Sequence, residues 1–168
     1  MKPLSGVLLV LMLALPGGAT TVTRLDLDGL VSTATTIVVG RVESRDTYWT
    51  PDRRLILTDY TIAVEDTLKG AVSPTIRFTT IGGTIGDTTL YVAGMPAFAD
   101  GEETVVFLEE AGRFRTVVGL GQGKFTVENG TVTNDLTDLE FTGAVPDGPI
   151  EMQLDVFVDQ IQQLLRPF

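Results

Sequence analysis

The sequence predicts a mainly β fold, with a short helix before the strands and an amphipathic helix after them. Three observations support this fold class. Apolar and polar residues alternate over 60–68, with the period of a half-buried strand. Asn129-Gly130 separates two short β-branched runs, which is typical of a two-residue hairpin. Apolar residues recur at helical spacing over 150–165, with polar residues between them.

The N-terminus has the three parts of a secretory signal peptide. Lys2 precedes an uncharged apolar run over 4–15, and Gly17 and Ala19 then provide small residues at the exit. The run is about a dozen residues long, shorter than the roughly 20 that span a bilayer as a helix. We therefore predict a cleavable signal peptide over 1–19, with an uncleaved anchor as the alternative. The mature product is expected to be secreted or periplasmic, without a membrane span.

The mature chain is predicted to form a β-barrel domain over 20–145, with a C-terminal helix over 146–168 packed on the barrel. Leucines at helical spacing predict a short helix over 24–34. A β-branched strand over 36–45 follows it. Gly40 inside this strand indicates a bulge or a tight bend, as at the corners of small barrels.

A polar turn over 46–54 leads into the alternating strand. The apolar residues just before that strand lie in the opposite phase, which predicts a bulge near Thr58. A shorter strand over 75–79 comes next. A long glycine-containing connection over 82–101 then precedes the remaining strands, and connections of this length are often functional or mobile.

The second half of the chain contains further strand patterns. The run over 104–108 is apolar on both faces and is therefore predicted to be a central strand. Another strand over 113–118 is followed by the hairpin already described. Residues 134–147 are predicted to form a loop. Pro149 suits the first turn of the final helix, and Pro167 ends it.

The composition excludes several kinds of chemistry. Cysteine and histidine are both absent from the 168 residues. There is consequently no thiolate nucleophile, no zinc site built from Cys or His, and no imidazole base. The formal net charge of −10 argues against a nucleic-acid partner, because such binding depends on neutralising phosphates. We predict no cofactor and no metal site.

The order of the strand motifs carries a resemblance to a known family. The segments 37–42 (IVVGRV), 67–70 (TLKG) and 101–108 (GEETVVFL) occur in the order typical of netrin-like and tissue-inhibitor-of-metalloproteinase-like modules. The chain resembles these modules, and secreted bacterial proteins that look like them, over 34–108. The resemblance implies a small OB-like antiparallel barrel with helices packed on it. Inhibitors of that family chelate a protease zinc through an amino-terminal cysteine, so the resemblance carries no activity to a chain without cysteine.

The candidate binding site is the stretch from Tyr48 to Arg54. It places the only Trp of the chain, Trp49, beside Arg53 and Arg54. Trp and Arg are enriched at binding hot spots because they bury large areas or form forked hydrogen bonds. In a hairpin loop of an OB-type barrel, Tyr48, Trp49, Arg53 and Arg54 are placed to meet an acidic or aromatic ligand. The alternative is that Trp49 caps the barrel and the arginines pair with local acids.

These observations predict an exported, non-enzymatic binding or interaction domain, with another exported or envelope protein as its partner. A carboxylate-dependent hydrolase is one alternative, using Asp59 or Glu65 with Asp87 or Asp100 across a cleft. A structural component of the envelope or matrix is the other. The glycine-rich segment 119–124 lets the backbone approach either a ligand or another strand.

Overall fold

The computed structural model describes residues 20–71, 73–142 and 148–166, so the predicted signal peptide over 1–19 lies outside the described residues. In the described part the chain is mainly β with two helices, as predicted. The helices are α1 (Leu27–Thr33), between the first two strands, and α2 (Leu154–Leu164), after the last strand. The strands are β1 (Thr20–Thr23), β2 (Thr36–Trp49), β3 (Ile56–Lys69), β4 (Thr75–Ile81), β5 (Gly83–Ile85), β6 (Thr88–Leu90), β7 (Glu103–Ala111), β8 (Phe114–Val117), β9 (Lys124–Glu128), β10 (Thr131–Thr133), β11 (Leu139–Thr142) and β12 (Glu151–Gln153).

The main sheet is antiparallel and has the strand order β12-β10-β9-β7-β2-β3-β4. β8 pairs with the end of β7, next to the part of β7 that pairs with β9. The sheet curls until β8 lies beside β4, with Cα atoms within 8 Å of one another. No backbone ladder joins β4 to β8 within residues 20–71, 73–142 and 148–166. The closed OB-like barrel expected from the sequence is therefore not found in this part of the chain, where an open seam separates β4 from β8.

The sheet buries apolar side chains on both of its faces. On one face, α1 and α2 cover a cluster that includes Phe107 and Phe157. On the other face, the curled strands enclose a second cluster that includes Tyr60, Phe78 and Phe98. The centroids of these three rings lie 4.9 to 5.5 Å apart, in the usual range for aromatic pairs. The space inside the curl is thus filled by side chains. Neither described helix is long and apolar enough to cross a bilayer.

The polar turn predicted over 46–54 is shorter in the structure. β2 continues to Trp49, and its last four residues pair in unbroken register with β3, from Asp46 opposite Asp59 to Trp49 opposite Ile56. Ladder hydrogen bonds to a long partner strand keep these polar residues extended in spite of their composition. The turn itself is confined to the residues between the two strands.

The bulges of the sheet lie on β2. The register with β3 shifts between Ile37 and Val38, between Val39 and Gly40 and again before Ser44. The bulge predicted at Gly40 is therefore confirmed, whereas the one predicted near Thr58 is wrong because the ladder is continuous there. The change of phase near Thr58 has another cause, since that end of β3 is buried on both faces.

Short strands occupy segments that were predicted to be loops. The connection over 82–101 contains the β5–β6 hairpin, and the loop over 134–147 contains β11, which pairs in parallel with β1. The final helix begins at Leu154 and not at Pro149, because β12 first pairs with β10. Strands of three or four residues have no periodicity long enough to recognise in a sequence, and only their pairing reveals them.

Candidate functional site

Thr50 fixes the shape of the hairpin between β2 and β3. Its N–H donates to the Leu55 carbonyl at 2.9 Å, and its hydroxyl accepts from the Leu55 N–H at 3.1 Å. The same hydroxyl donates to the Asp52 carboxylate at 2.7 Å, and the Thr50 carbonyl accepts from the Arg53 N–H at 2.8 Å. Arg53 completes the turn in the left-handed region, with φ of 55°. The loop therefore presents its side chains from a defined backbone.

The predicted aromatic and cationic side chains of this hairpin are accessible. Trp49 is 36% exposed, the Arg54 side chain is 84% exposed, and Arg53 is exposed as well. The Arg54 Nε lies 3.7 Å from the Asp52 carboxylate. The hydroxyl of Thr50 and the backbone N–H of Arg54 bind that carboxylate and lower the pKa of Asp52. Trp49 is thus not enclosed as a cap inside the sheet.

Tyr48 lines a groove that the sequence did not reveal. The groove has a volume of about 910 Å³ and lies over the seam between β4 and β8. The β2–β3 hairpin forms one of its walls, and β8 with the turn before it forms the opposite wall. The large apolar residues of its lining are Tyr48, Pro51, Leu55, Leu57, Ile81, Met95, Phe114, Val117 and Leu120.

The register of the sheet explains how these residues meet. Tyr48 on β2 lies opposite Leu57 on β3, and Leu57 lies opposite Ile81 on β4. Side chains directly opposite in neighbouring strands lie on the same face, so these three form one row across the sheet. Phe114 of β8 faces this row from beyond the seam. Ile81 is 38% exposed and Leu57 is buried, so the row is open to solvent at its β4 end.

A buried carboxylate lies beside Tyr48 on the same face. Asp59 on β3 has only 9% of its side chain exposed, and the Arg77 guanidinium and the Thr79 hydroxyl each donate to it at 2.5 Å. Burial, followed by the nearby Asp59 charge, raises the pKa of the Tyr48 phenol. The hydrogen bond between the Tyr48 phenol and Asp59 raises this pKa as well, so Tyr48 is a neutral residue of the groove whose hydroxyl is engaged with Asp59.

The loop between β6 and β7 contributes Met95 to the groove and is fixed by a largely buried ion pair. The Lys124 Nζ lies 2.8 Å from the Glu102 Oε1, with 17% and 12% of the two side chains exposed. Lys124 also donates to the Ala97 carbonyl at 2.7 Å, and the Ala99 N–H donates to the Glu102 Oε2 at 2.8 Å. Both charged groups thus tie the loop to the sheet.

The glycine-rich segment 119–124 forms the end of the groove. Gly119 and Leu120 line it, and both are left-handed, with φ of 60° and 61°. The next residue, Gly121, donates its N–H to the Gly94 carbonyl at 2.8 Å. The segment therefore makes a close backbone approach to another part of the chain and also places Leu120 in a conformation that costs a non-glycine residue about 1 kcal/mol or more.

The acids proposed for hydrolysis have separate surroundings. Asp59 is held by Arg77 and Thr79, and Glu65 and Asp100 lie 3.9 and 3.4 Å from different arginine side chains of β2. Asp87 is exposed in the turn between β5 and β6. In the part of the chain that the structure describes, no three acidic side chains are grouped so that they could hold a metal ion.

No protein-family model, curated protein or solved structure matches this chain. The candidate site therefore rests on the geometry of the molecule itself. The sequence indicated the hairpin from Tyr48 to Arg54 but missed Leu57, Ile81 and Phe114. One signal was present, because Leu57 lies in the phase opposite to Tyr60 and Ile62 and so is an apolar residue on the other face of β3.

Proposed function

We propose that this chain is an exported, non-enzymatic binding domain whose partner is another exported or envelope protein. The observation that carries the proposal is the apolar groove of about 910 Å³ over the β4–β8 seam. Contiguous apolar surface on the outside of a protein is a mark of an interaction site. The N-terminal sequence pattern over 1–19 supports export to the periplasm or the medium.

The predicted hairpin residues are part of this proposed site. Tyr48 is in the lining of the groove, and Trp49, Arg53 and Arg54 are exposed residues of the same hairpin that lie outside that lining. A buried apolar centre surrounded by aromatic and arginine side chains is the usual composition of an interface hot spot. In this proposal the groove is the centre of the interface, and the exposed side chains of the hairpin contact the partner beside it.

We also propose that the domain is an OB-like barrel left open at one seam, as the netrin-like resemblance implies. Support comes from the strand neighbours, since β4, β3, β2, β7 and β8 follow one another around the curl and β8 ends beside β4. In this proposal the open seam is where the partner binds, because a fully paired barrel has no such groove.

The proposal is tested by capture of partners with cross-linking in the native envelope and culture fluid. The baits are the mature protein, Ile81→Glu in the groove, the triple variant Trp49→Ala/Arg53→Ala/Arg54→Ala in the hairpin, and Leu164→Glu as a matched control. Leu164 is 42% exposed on α2, comparable with Ile81 at 38%. All four baits are first matched for unfolding free energy.

We expect a partner that the mature protein and the Leu164→Glu control capture equally. Ile81→Glu should reduce this capture at least tenfold, because it places a charge in the apolar centre. The hairpin variant should weaken it as well. Equal capture by the Ile81→Glu and Leu164→Glu baits would show that the partner does not bind in the groove.

A further inference from the structure

The hairpin turn between β9 and β10 exposes an Asn-Gly pair that lies outside the proposed binding groove. Asn129 and Gly130 are both exposed, with φ of 51° and 78°, the left-handed conformations of a type I′ turn. A Cβ added to Gly130 would meet a single atom within 4 Å, the Gln153 Oε1 at 3.9 Å. The space around Gly130 is therefore open to water.

The nitrogen of Gly130 is a nucleophile for the Asn129 side chain. It belongs to the peptide bond that follows Asn129, so its attack on the side-chain Cγ closes a succinimide ring. Glycine at this position favours the attack, because it has no side chain to obstruct the ring and gives the backbone wide conformational freedom. Among the residues that the structure describes, the Gly130 N–H has no hydrogen-bond partner, since the ladder of this hairpin begins with Glu128 opposite Thr131. The attack requires the turn to leave its left-handed conformation transiently, and the open surroundings permit this local motion.

The other asparagine of the chain has none of these features. Asn134 is 3% exposed and is followed by Asp135 in place of a glycine. Its side-chain amide donates to the Gln122 carbonyl at 3.3 Å, and its side-chain oxygen accepts from the Ile150 N–H at 2.8 Å. Asn134 is therefore an internal control for any chemistry that depends on an exposed Asn-Gly turn.

The turn at Asn129 also holds the start of α2. The Gly130 carbonyl accepts at 2.8 Å from the N–H of Leu154, the first residue of this helix, and the Gln153 Nε2 donates to the Thr131 Oγ1 at 2.9 Å. Gln153 is the N-cap residue, and its side chain makes no capping hydrogen bond. The Gly130 carbonyl thus binds one of the N–H groups that a helix N-terminus leaves without a partner inside the helix.

We infer that Asn129 is a site of spontaneous deamidation, and that its isoaspartate product weakens the attachment of α2. A base removes the Gly130 amide proton, the nitrogen bonds to the Asn129 Cγ, and the side-chain nitrogen leaves as ammonia. Water then opens the succinimide at either of its carbonyl carbons and gives aspartate or isoaspartate. The reaction consumes one water and releases one ammonia, without an oxidant or a reductant. In isoaspartate the main chain runs through the former side chain and is one atom longer, which a two-residue turn accommodates only by moving the Gly130 carbonyl.

The test ages the mature protein in mildly alkaline buffer and follows both asparagines by mass spectrometry, with electron-transfer fragmentation to distinguish isoaspartate from aspartate. The control is Asn129→Gly, which removes the reacting amide and leaves Gly-Gly, a pair that suits a type I′ turn. Deamidated protein has an additional negative charge, so anion exchange separates it from the unmodified protein. Hydrogen exchange measured by NMR then gives the protection of the Leu154 N–H in the isoaspartate form. The same measurement on Asn129→Asp gives the effect of the charge without the longer main chain.

We expect Asn129 to be converted while Asn134 stays intact. The isoaspartate form should lose roughly tenfold in protection of the Leu154 N–H, the effect of one hydrogen bond, whereas Asn129→Asp and the aged Asn129→Gly control should keep it. An intact Asn129 in the aged protein, or conversion of Asn134 at the same rate, overturns the assignment of the site. Unchanged protection of the Leu154 N–H in the isoaspartate form overturns the link to α2, as does an equal loss of protection in Asn129→Asp.

Discussion

Replacement of Glu102 by Gln should strongly destabilise the fold, because it removes the charge that Lys124 needs. The two side chains are 12% and 17% exposed, so water screens the pair only weakly. Removing one member of a buried ion pair usually costs 3–5 kcal/mol, since the other charge is left without a partner. Lys124 keeps two other contacts, the Ala97 carbonyl at 2.7 Å and the Phe98 ring at 4.8 Å. We therefore expect the lower end of the range, about 3 kcal/mol in the free energy of unfolding.

The assay is equilibrium unfolding in urea, followed by circular dichroism, with the neighbouring Glu103→Gln as the matched control. Glu103 lies 3.2 Å from Arg41 in a pair whose side chains are 29% and 51% exposed. Exposed pairs contribute about 0–1 kcal/mol, so the control should lose less than about 1 kcal/mol. By heat, the difference should appear as a melting temperature roughly 6–12 °C lower for Glu102→Gln.

A double-mutant cycle separates the charge pair from general damage to the loop. Lys124→Met removes the other charge, and Glu102→Gln/Lys124→Met should be less destabilised than the sum of the two single variants, because neither charge is then left unpaired. Equal losses for Glu102→Gln and Glu103→Gln, or strict additivity in the cycle, would refute the reasoning.

Two further predictions concern the sheet and the loop before β11. Gly40→Ala should cost about 2 kcal/mol, because the added Cβ overlaps the Ala63 carbonyl across the ladder, whereas Gly148→Ala meets open space and should change stability by less than about 0.5 kcal/mol. The side-chain and backbone hydrogen bonds from Thr137 lower the pKa of Asp135 from 3.8. The ionised Asp135 carboxylate thus contributes to stability above pH 3.8. This contribution is lost as the pH falls through the pKa that Asp135 has in the folded protein, which is below 3.8. Thr137→Val should raise this pKa toward 3.8 in an NMR titration, and an unchanged value would contradict the assignment.

The strands could be predicted from the sequence wherever a single strand has its own periodic pattern of apolar and polar residues. The alternation over 60–68 and the Asn129-Gly130 turn each specify their structure locally, and both are present in the fold. The glycine at position 40 also indicated the bulge in β2. Glycine is required there because the close approach of β3 leaves no space for a side chain. Such features are encoded by neighbouring residues and can be recognised without knowing the rest of the fold.

The groove could not be predicted in the same way, because its parts are distant in sequence. Tyr48, Leu57, Ile81 and Phe114 lie on four strands, and only the curl of the sheet brings the last of them opposite the others. Leu57 gave the one local indication, and its phase was interpreted as a bulge when its cause was an apolar outer face. The left-handed Leu120 at the end of the groove has no sequence signature either, because its conformation is imposed by the packing around it.

The most direct test of the account is photo-cross-linking from single positions in the exported protein in its native envelope. A photoreactive phenylalanine analogue replaces Ile81 in the groove or, as the control, Leu164 on α2, which has similar exposure. We expect a discrete protein adduct from position 81 that is absent from position 164. Adducts of equal yield from both positions, or an adduct from position 164 alone, would contradict the claim that the groove is the binding site.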